Sequence, residues 1–347
     1  MNNLTTTNSF LNGALLYMRN ILLFIFLLAI IVQTSFATES HTLRTTFKQA
    51  EKQVWQPNSP SYKSLYNQLH FYPLQPYLDQ RRLMDKIKLS DASEIELFLT
   101  KYKGTPLDWP LRKKWLNYLA KRKRKALFLR FFRANSDAKL NCTKLTYQLD
   151  AGMPAQTILP QVTKWWVVGK SQSKACDPLF KKWIAAGYLT KETVWQRVRL
   201  AADGGKHTLI PYLTKLLPTD EQYLATLWHK VRRDPAYITN ISRFKSFSEK
   251  EAEIFAYGLK RLIWRAPSNA ISAYKKGMPR FSIAKNERAK IDAKFAVALA
   301  SKNHRDASEW LNKVDEKHLD KNLIQWKLAN VLKTGDWARI KGELLTL

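Results

Sequence analysis

The sequence holds 347 residues with 58 Lys+Arg against 28 Asp+Glu, a formal net charge of +30, and only two cysteines, Cys142 and Cys176. That length allows two compact domains or one elongated repeat array, and a field of that sign pulls on polyanions over long range. Two cysteines this far apart are neither a Cys-x-x-Cys redox pair nor a zinc knuckle.

Arg19 precedes twelve unbroken apolar residues, Ile21–Val32, and small residues follow at Ser35 and Ala37. A charged end, a short apolar core and a small-x-small exit make a secretory signal peptide cleaved near Ala37. Met18 is a possible true start, since Met18–Ala37 alone forms a complete signal. The apolar run is too short to span a bilayer comfortably, so no stable membrane span is expected after cleavage. Export changes the reading of the charge. A cytoplasmic chain of this kind would suggest nucleic acid, whereas an exported one meets acidic cell-wall polymers and anionic membrane surfaces. The plainer alternative is a solvated basic surface with no specific partner.

The mature chain reads as short helices separated by tight breaks. Leu43–Trp55 carries Phe47, Ala50 and Val54 on one side and ends at Pro57-Asn58-Ser59-Pro60. Tyr62–Leu69 follows, and Pro73 and Pro76 then stop one helix and start the next at Tyr77 and Leu78. Ser90–Tyr102 has Asp91 and Glu94 in capping-box spacing, with Ile95, Phe98 and Leu99 as its stripe. Pro110–Lys121 and Ala126–Phe132 flank the basic run Lys121-Arg122-Lys123-Arg124-Lys125, which forms an exposed corner. Asn141–Asp150 is closed by Gly152, and Ala155–Val168 by Gly169 and a Lys-Ser-Gln-Ser turn. Asp177-Pro178 is a cap followed by proline at the first helical position.

The rhythm continues to the end of the chain. Thr190–Ala202 stops at Gly204-Gly205, read as a helix stop rather than a phosphate loop, and Lys206–Leu217 stops at Pro218. Thr219 with Gln222 opens Glu221–Arg232, and Ser248 with Glu251 opens Glu249–Trp264. Ser268–Lys276, Ile283–Ser301 (the longest), Arg305–Val314, Asp320–Leu332 and Asp336–Leu345 complete the chain. No run of period-two alternation is flanked by hairpin turns. The expected fold is all-α, a helical solenoid whose helix pairs recur at about 30 to 40 residues. Most Trp and Tyr are read as packing residues between helices. Sugar-stacking platforms are the alternative for exposed ones, which the sequence does not single out.

In an exported chain Cys142 and Cys176 are expected to form a structural disulfide. It would close a loop of about 35 residues, worth roughly 4 kcal/mol in the chain-entropy model. The six histidines show no metal-ligand spacing, so no metal or cofactor is expected. Glu249, Glu251 and Glu253 cluster at a helix start, where negative charge is stabilising in itself; a carboxylate pair for glycoside cleavage is the weaker alternative.

Two stretches carry more than rhythm. Tyr72-Pro73-Leu74-Gln75-Pro76-Tyr77-Leu78, followed by Arg81 or Arg82, is one. The other runs from Trp165 through Gly169-Lys170-Ser171-Gln172 and Ala175-Cys176-Asp177-Pro178-Leu179-Phe180 to Trp183. Val194-Trp195-Gln196-Arg197-Val198-Arg199-Leu200-Ala201 continues it, and Trp310-Leu311 and Trp326…Ala329 fit more loosely. Together they resemble the bacterial soluble lytic murein transglycosylases across most of the mature chain. The resemblance implies a U-shaped, right-handed α-superhelix with one disulfide, in a periplasmic protein of peptidoglycan turnover. The family cuts between N-acetylmuramic acid and N-acetylglucosamine without adding water, through one glutamic acid of a lysozyme-like domain.

That domain's Glu-Ser, Gly-Leu-Met-Gln and Ala-Tyr-Asn motifs have no counterpart here beyond Glu39-Ser40, beside the leader exit. No catalytic residue is therefore assigned. Residues 38–347 are expected to be the superhelical part alone, with linker and catalytic domains absent. It would position or guide murein strands and work beside a separate catalytic domain or cell-wall synthases. A helical-repeat scaffold for protein partners is the alternative, and the leader argues against nucleic acid. Lys121, Arg122, Lys123, Arg124 and Lys125 are the candidate contacts to an anionic polymer.

Overall fold

The structure, a computed structural model, describes residues 41–314, 317 and 320–335. The proposed signal segment, Glu39-Ser40 and the expected helix Asp336–Leu345 lie outside them. Among the described residues there is no strand. Helical backbone covers 41–53 (α1), Pro60–Gln68 (α2), Gln75–Asp85 (α3), Ala92–Lys101 (α4), Asp108–Lys121 (α5), Lys125–Phe131 (α6) and Ala138–Asp150 (α7). It continues with Ala155–Ile158 (α8), Thr163–Trp166 (α9), Asp177–Ala185 (α10), Lys191–Ala202 (α11), Ile210–Thr214 (α12) and Gln222–Arg233 (α13). Glu249–Arg265 (α14), Pro267–Gly277 (α15), Lys285–Ser301 (α16), Ala307–Lys313 (α17) and Lys321–Thr334 (α18) follow.

The chain divides into two compact units, with the boundary between Tyr147 and Gln148. In the first, α5 is the central helix. Leu111, Trp115, Leu116 and Leu119 recur at helical spacing and are fully buried. They pack with Ile95, Phe98 and Leu99 of α4, Phe128 and Phe131 of α6, and Leu83 of α3. Arg112 is also buried, and its charge is answered locally. Its Nε donates to Asp108 at 2.6 Å and its Nη1 to the Phe131 carbonyl at 2.9 Å. A smaller cluster, Ala50, Val54, Tyr62, Leu69 and Leu78, joins α1, α2 and α3.

In the second unit each helix packs on the next along the chain from α11 to α14, and α14 touches both α15 and α16. This neighbour-to-neighbour stacking is the solenoid the rhythm predicts. Ser248 opens α14 through the expected capping box with Glu251. Ala252, Phe255, Tyr257, Leu259 and Ile263 are buried on several sides of α14, so it is covered nearly all round. Where the 3₁₀ turn Pro235–Thr239 crosses it, Gly258 leaves room for Ile238; a Cβ there would lie 2.5 Å from Ile238 Cγ2.

Five local expectations need correction. Ala155–Val168 is not one helix: α8 passes into a 3₁₀ turn, Leu159–Val162, before α9. Pro160 lacks an N–H and its ring displaces the preceding turn. Lys206–Leu217 shortens to α12 behind a 3₁₀ turn at His207–Leu209, with Pro211 in the first turn of α12. Asp91 does not cap α4. Its carboxylate turns back to accept the Lys88 N–H at 2.8 Å, closing the preceding 3₁₀ turn. Thr219 begins a 3₁₀ turn rather than capping α13, and Asp177 is the first residue of α10, with Cys176 in the cap position.

Candidate functional site

Both cysteines are buried and disulfide-bonded, so the two sulfurs of the sequence form the expected bond. The Gly169-Lys170-Ser171-Gln172 turn is held by the second unit's own side chains. Arg197 of α11 is 4% exposed and places its guanidinium 4.5 Å from the centroid of the Trp166 ring. It also donates to the carbonyls of Val168 at 3.2 Å and Lys170 at 3.3 Å. Burial lowers its pKa, so the ring face and the two carbonyls offset the lost hydration. Gln172 donates to the Trp165 carbonyl at 3.0 Å, and Trp183 stacks on Trp166 while donating to Thr163 Oγ1 at 3.1 Å.

Glycine in this turn is a packing requirement. A Cβ on Gly169 would lie 2.3 Å from the Leu200 carbonyl oxygen, and one on Gly205 would meet the same oxygen at 2.3 Å. The Lys206 N–H donates to the Gly169 carbonyl at 2.8 Å and ties the two turns together. The turn at residues 169–172 is therefore fixed by close backbone packing and by hydrogen bonds from Arg197 and Lys206.

Lys121, Arg122, Lys123, Arg124 and Lys125 lie at the corner between α5 and α6, and all five are exposed. Lys123 takes φ +54°, and the N–H groups of Lys123 and Arg124 close the end of α5 onto Ala120 and Leu119. The left-handed turn thus displays the run instead of continuing the helix. Arg122 sits over Tyr118 at 5.5 Å and Lys125 over Tyr147 at 5.9 Å. Lys121, Arg122, Lys123 and Arg124 make no ion pair with a carboxylate of the described residues.

The glutamates of α14 have separate duties. Glu251 is wholly buried and accepts from the N–H groups of Lys245 (2.7 Å), Ser246 (2.9 Å) and Ser248 (3.3 Å) and from Tyr223 Oη (3.2 Å). Burial raises its pKa, but these donors outweigh burial and hold it below the usual carboxylate range. Such a group caps a helix and is a poor proton donor. Glu253 pairs side-on with Arg199 at 2.5 and 2.8 Å. A cleft of about 660 Å³ beside α14 is lined by Arg199, Glu249, Glu253, Lys260 and Glu287. Lys260 closes on Glu287 at 2.5 Å, so opposite charges there satisfy one another.

One pairing escaped the sequence. His207 Nδ1 lies 3.2 Å from His229 Nε2, joining residues on different elements. Burial, His207 and Arg233 lower the pKa of His229. Spacing could not show it, because the two approach only once α13 packs against the turn preceding α12. Among the described residues no group of three or more potential metal ligands occurs, and no helix is long and apolar enough to cross a membrane.

No family model matches the chain. It is 27% identical over 173 residues to the soluble lytic murein transglycosylase of Escherichia coli strain K12, covering 50% of this chain and 27% of that protein. With the Salmonella typhimurium protein of the same description it shares 26% over 187 residues, 53% of this chain and 29% of the other. The matched stretch thus spans under a third of the length of these curated relatives. Among solved structures it is similar to an inactive mutant of the lytic transglycosylase Slt of Pseudomonas aeruginosa. The TM-score is 0.69 at 29% identity, over 86% of this chain and 48% of that one. The 70-kDa soluble lytic transglycosylase of E. coli gives 0.64 at 19% identity, over 88% and 55%, a likeness of fold.

Proposed function

The chain belongs to the soluble lytic murein transglycosylase family, and from that premise we propose that it is an exported, periplasmic protein of peptidoglycan turnover. In this reading the helical chain positions or guides murein strands and does not cut them. The observation that supports strand contact is the corner at residues 121–125, whose successive cations are displayed to solvent. Carboxylates of the wall polymer are its natural counter-charge. Exposed cations in high dielectric attract over about one Debye length, and added salt weakens that attraction.

The test is co-sedimentation of the purified chain with isolated murein sacculi. Binding should be strong at low salt and fall steeply as salt rises. Replacing Lys121, Arg122, Lys123 and Arg124 together by glutamine should weaken binding and flatten its salt dependence. No 1,6-anhydro-muropeptides should appear in the supernatant. Absence of sedimentation at low salt would end the strand-binding reading, and release of anhydro products would end the non-catalytic one.

A further inference from the structure

Trp115, Trp166 and Trp183 are at most 2% exposed, as expected for packing residues, but Trp55 is 48% exposed and Tyr77 41%. Within the first unit these two rings line one hollow of about 410 Å³, together with Glu51, Arg81, Asp85 and Lys114. Arg81 lies 5.3 Å from the centroid of the Trp55 ring and pairs with Glu51. Lys114 reaches in from α5 and donates to the Met84 carbonyl. A second hollow of about 380 Å³ shares Asp85 and Lys114 with the first and adds Lys86, Lys88 and Tyr118. Lys114, Tyr118 and Arg122 stand four residues apart, so they share one face of α5 and its cap. The two hollows form a track that leads to the basic corner.

The composition of the track limits what can occupy it. Trp and Tyr offer large, rigid, half-apolar faces at low entropic cost. Such faces suit the C–H side of a pyranose ring. Glu51 and Asp85 accept from hydroxyl and amide donors, and they would repel a phosphate backbone. Arg81, Lys86, Lys88 and Lys114 supply cations for carboxylates. We propose that this track binds a carboxylate-bearing amino-sugar glycan, with sugar rings on Trp55 and Tyr77 and carboxylates on Lys86, Lys88 and Lys114. The assignment rests on the murein reading above and deepens it by naming the surface that holds the sugars.

The experiment is calorimetric titration of the full chain with three probes: soluble disaccharide-peptide fragments of murein, the neutral oligomer chitotetraose, and a single-stranded oligonucleotide of similar length. Both saccharides should bind and the oligonucleotide should not compete. Trp55→Ala and Tyr77→Ala should each weaken both saccharides by about fivefold or more, with a cooperative unfolding transition retained because neither residue belongs to the buried core clusters of the first unit. Trp55→Phe should recover part of the loss. Lys114→Ala should weaken the murein fragments and spare chitotetraose.

Unchanged saccharide affinity in both aromatic variants, or displacement of saccharide by the oligonucleotide, overturns the proposal. If the aromatic variants bind saccharides normally while the chain still sediments with sacculi, the track is wrong and the murein reading survives. If chitotetraose binds through Trp55 while sacculi are not bound, the sugar site stands and the murein reading falls.

Discussion

Glu221 and Lys250 meet head-on, with both carboxylate oxygens 2.8 Å from the one ammonium nitrogen. Glu221 precedes α13 and Lys250 lies in the first turn of α14, so the pair fastens two successive helices of the second unit. Lys191 at 3.3 Å and the Trp195 indole complete the set of donors around the carboxylate. Burial pushes the Glu221 pKa up, but donation from Lys250, Trp195 and Lys191 outweighs it, and the pKa falls to about 2.

An acid-sensitive stability follows from that carboxylate. Its folded pKa lies below the ordinary glutamate value, so the unfolded chain binds the proton more readily. The stabilisation is complete above about pH 4.5 and is lost as pH falls toward 2. It is on the order of 2 kcal/mol. Glu221→Gln should lower the urea midpoint at pH 7 and flatten its decline between pH 5 and 2. A parallel decline in wild type and variant would refute the assignment.

Reducing the disulfide should destabilise the chain by about 4 kcal/mol through the loop it opens between Cys142 and Cys176. Denaturant melts with and without reductant check this, and Cys142→Ser should reproduce the reduced curve. The two buried positions leave no thiol for alkylation in the native protein, so labelling should require both reductant and denaturant.

Gly169 and Gly152 should respond differently to alanine. Gly152 has φ +85° with nothing within 4 Å of the added methyl, so Gly152→Ala should cost about 1 kcal/mol of backbone strain. At Gly169 the methyl would collide with the Leu200 carbonyl, a backbone atom that cannot swing aside. Gly169→Ala should cost about 3 kcal/mol, read as a shift in thermal midpoint. Equal shifts for the two variants would contradict the close-approach account.

Phe71 predicts a gain. It takes φ +70° at the turn between α2 and α3 while 90% of its surface stays in water. A bulky residue in the left-handed region is strained, and here almost no burial offsets it. Phe71→Gly should stabilise the first unit by about 1 kcal/mol, measured by urea denaturation. A destabilised variant would mean that the Phe71 edge contact with His70, with ring centroids 3.9 Å apart, outweighs the strain.

The amino-acid order alone determined the helices, the breaks between them, the Ser248–Glu251 cap and the pairing of the two sulfurs. These depend on near neighbours along the chain: apolar spacing, proline and glycine positions, and the number of cysteines. It misjudged Ala155–Val168, where one proline outweighed an apolar stripe. It located the cations at 121–125 but gave no means of telling one tryptophan from another. Only the tertiary structure separated Trp55 and Tyr77, left in water beside Arg81 and Lys114, from Trp115 and Trp183 in the core. Exposure depends on which distant helix covers a ring, and that is decided by packing across tens of residues. The same packing set His207 beside His229 and left the carbonyl of Leu200 no room for any residue but glycine.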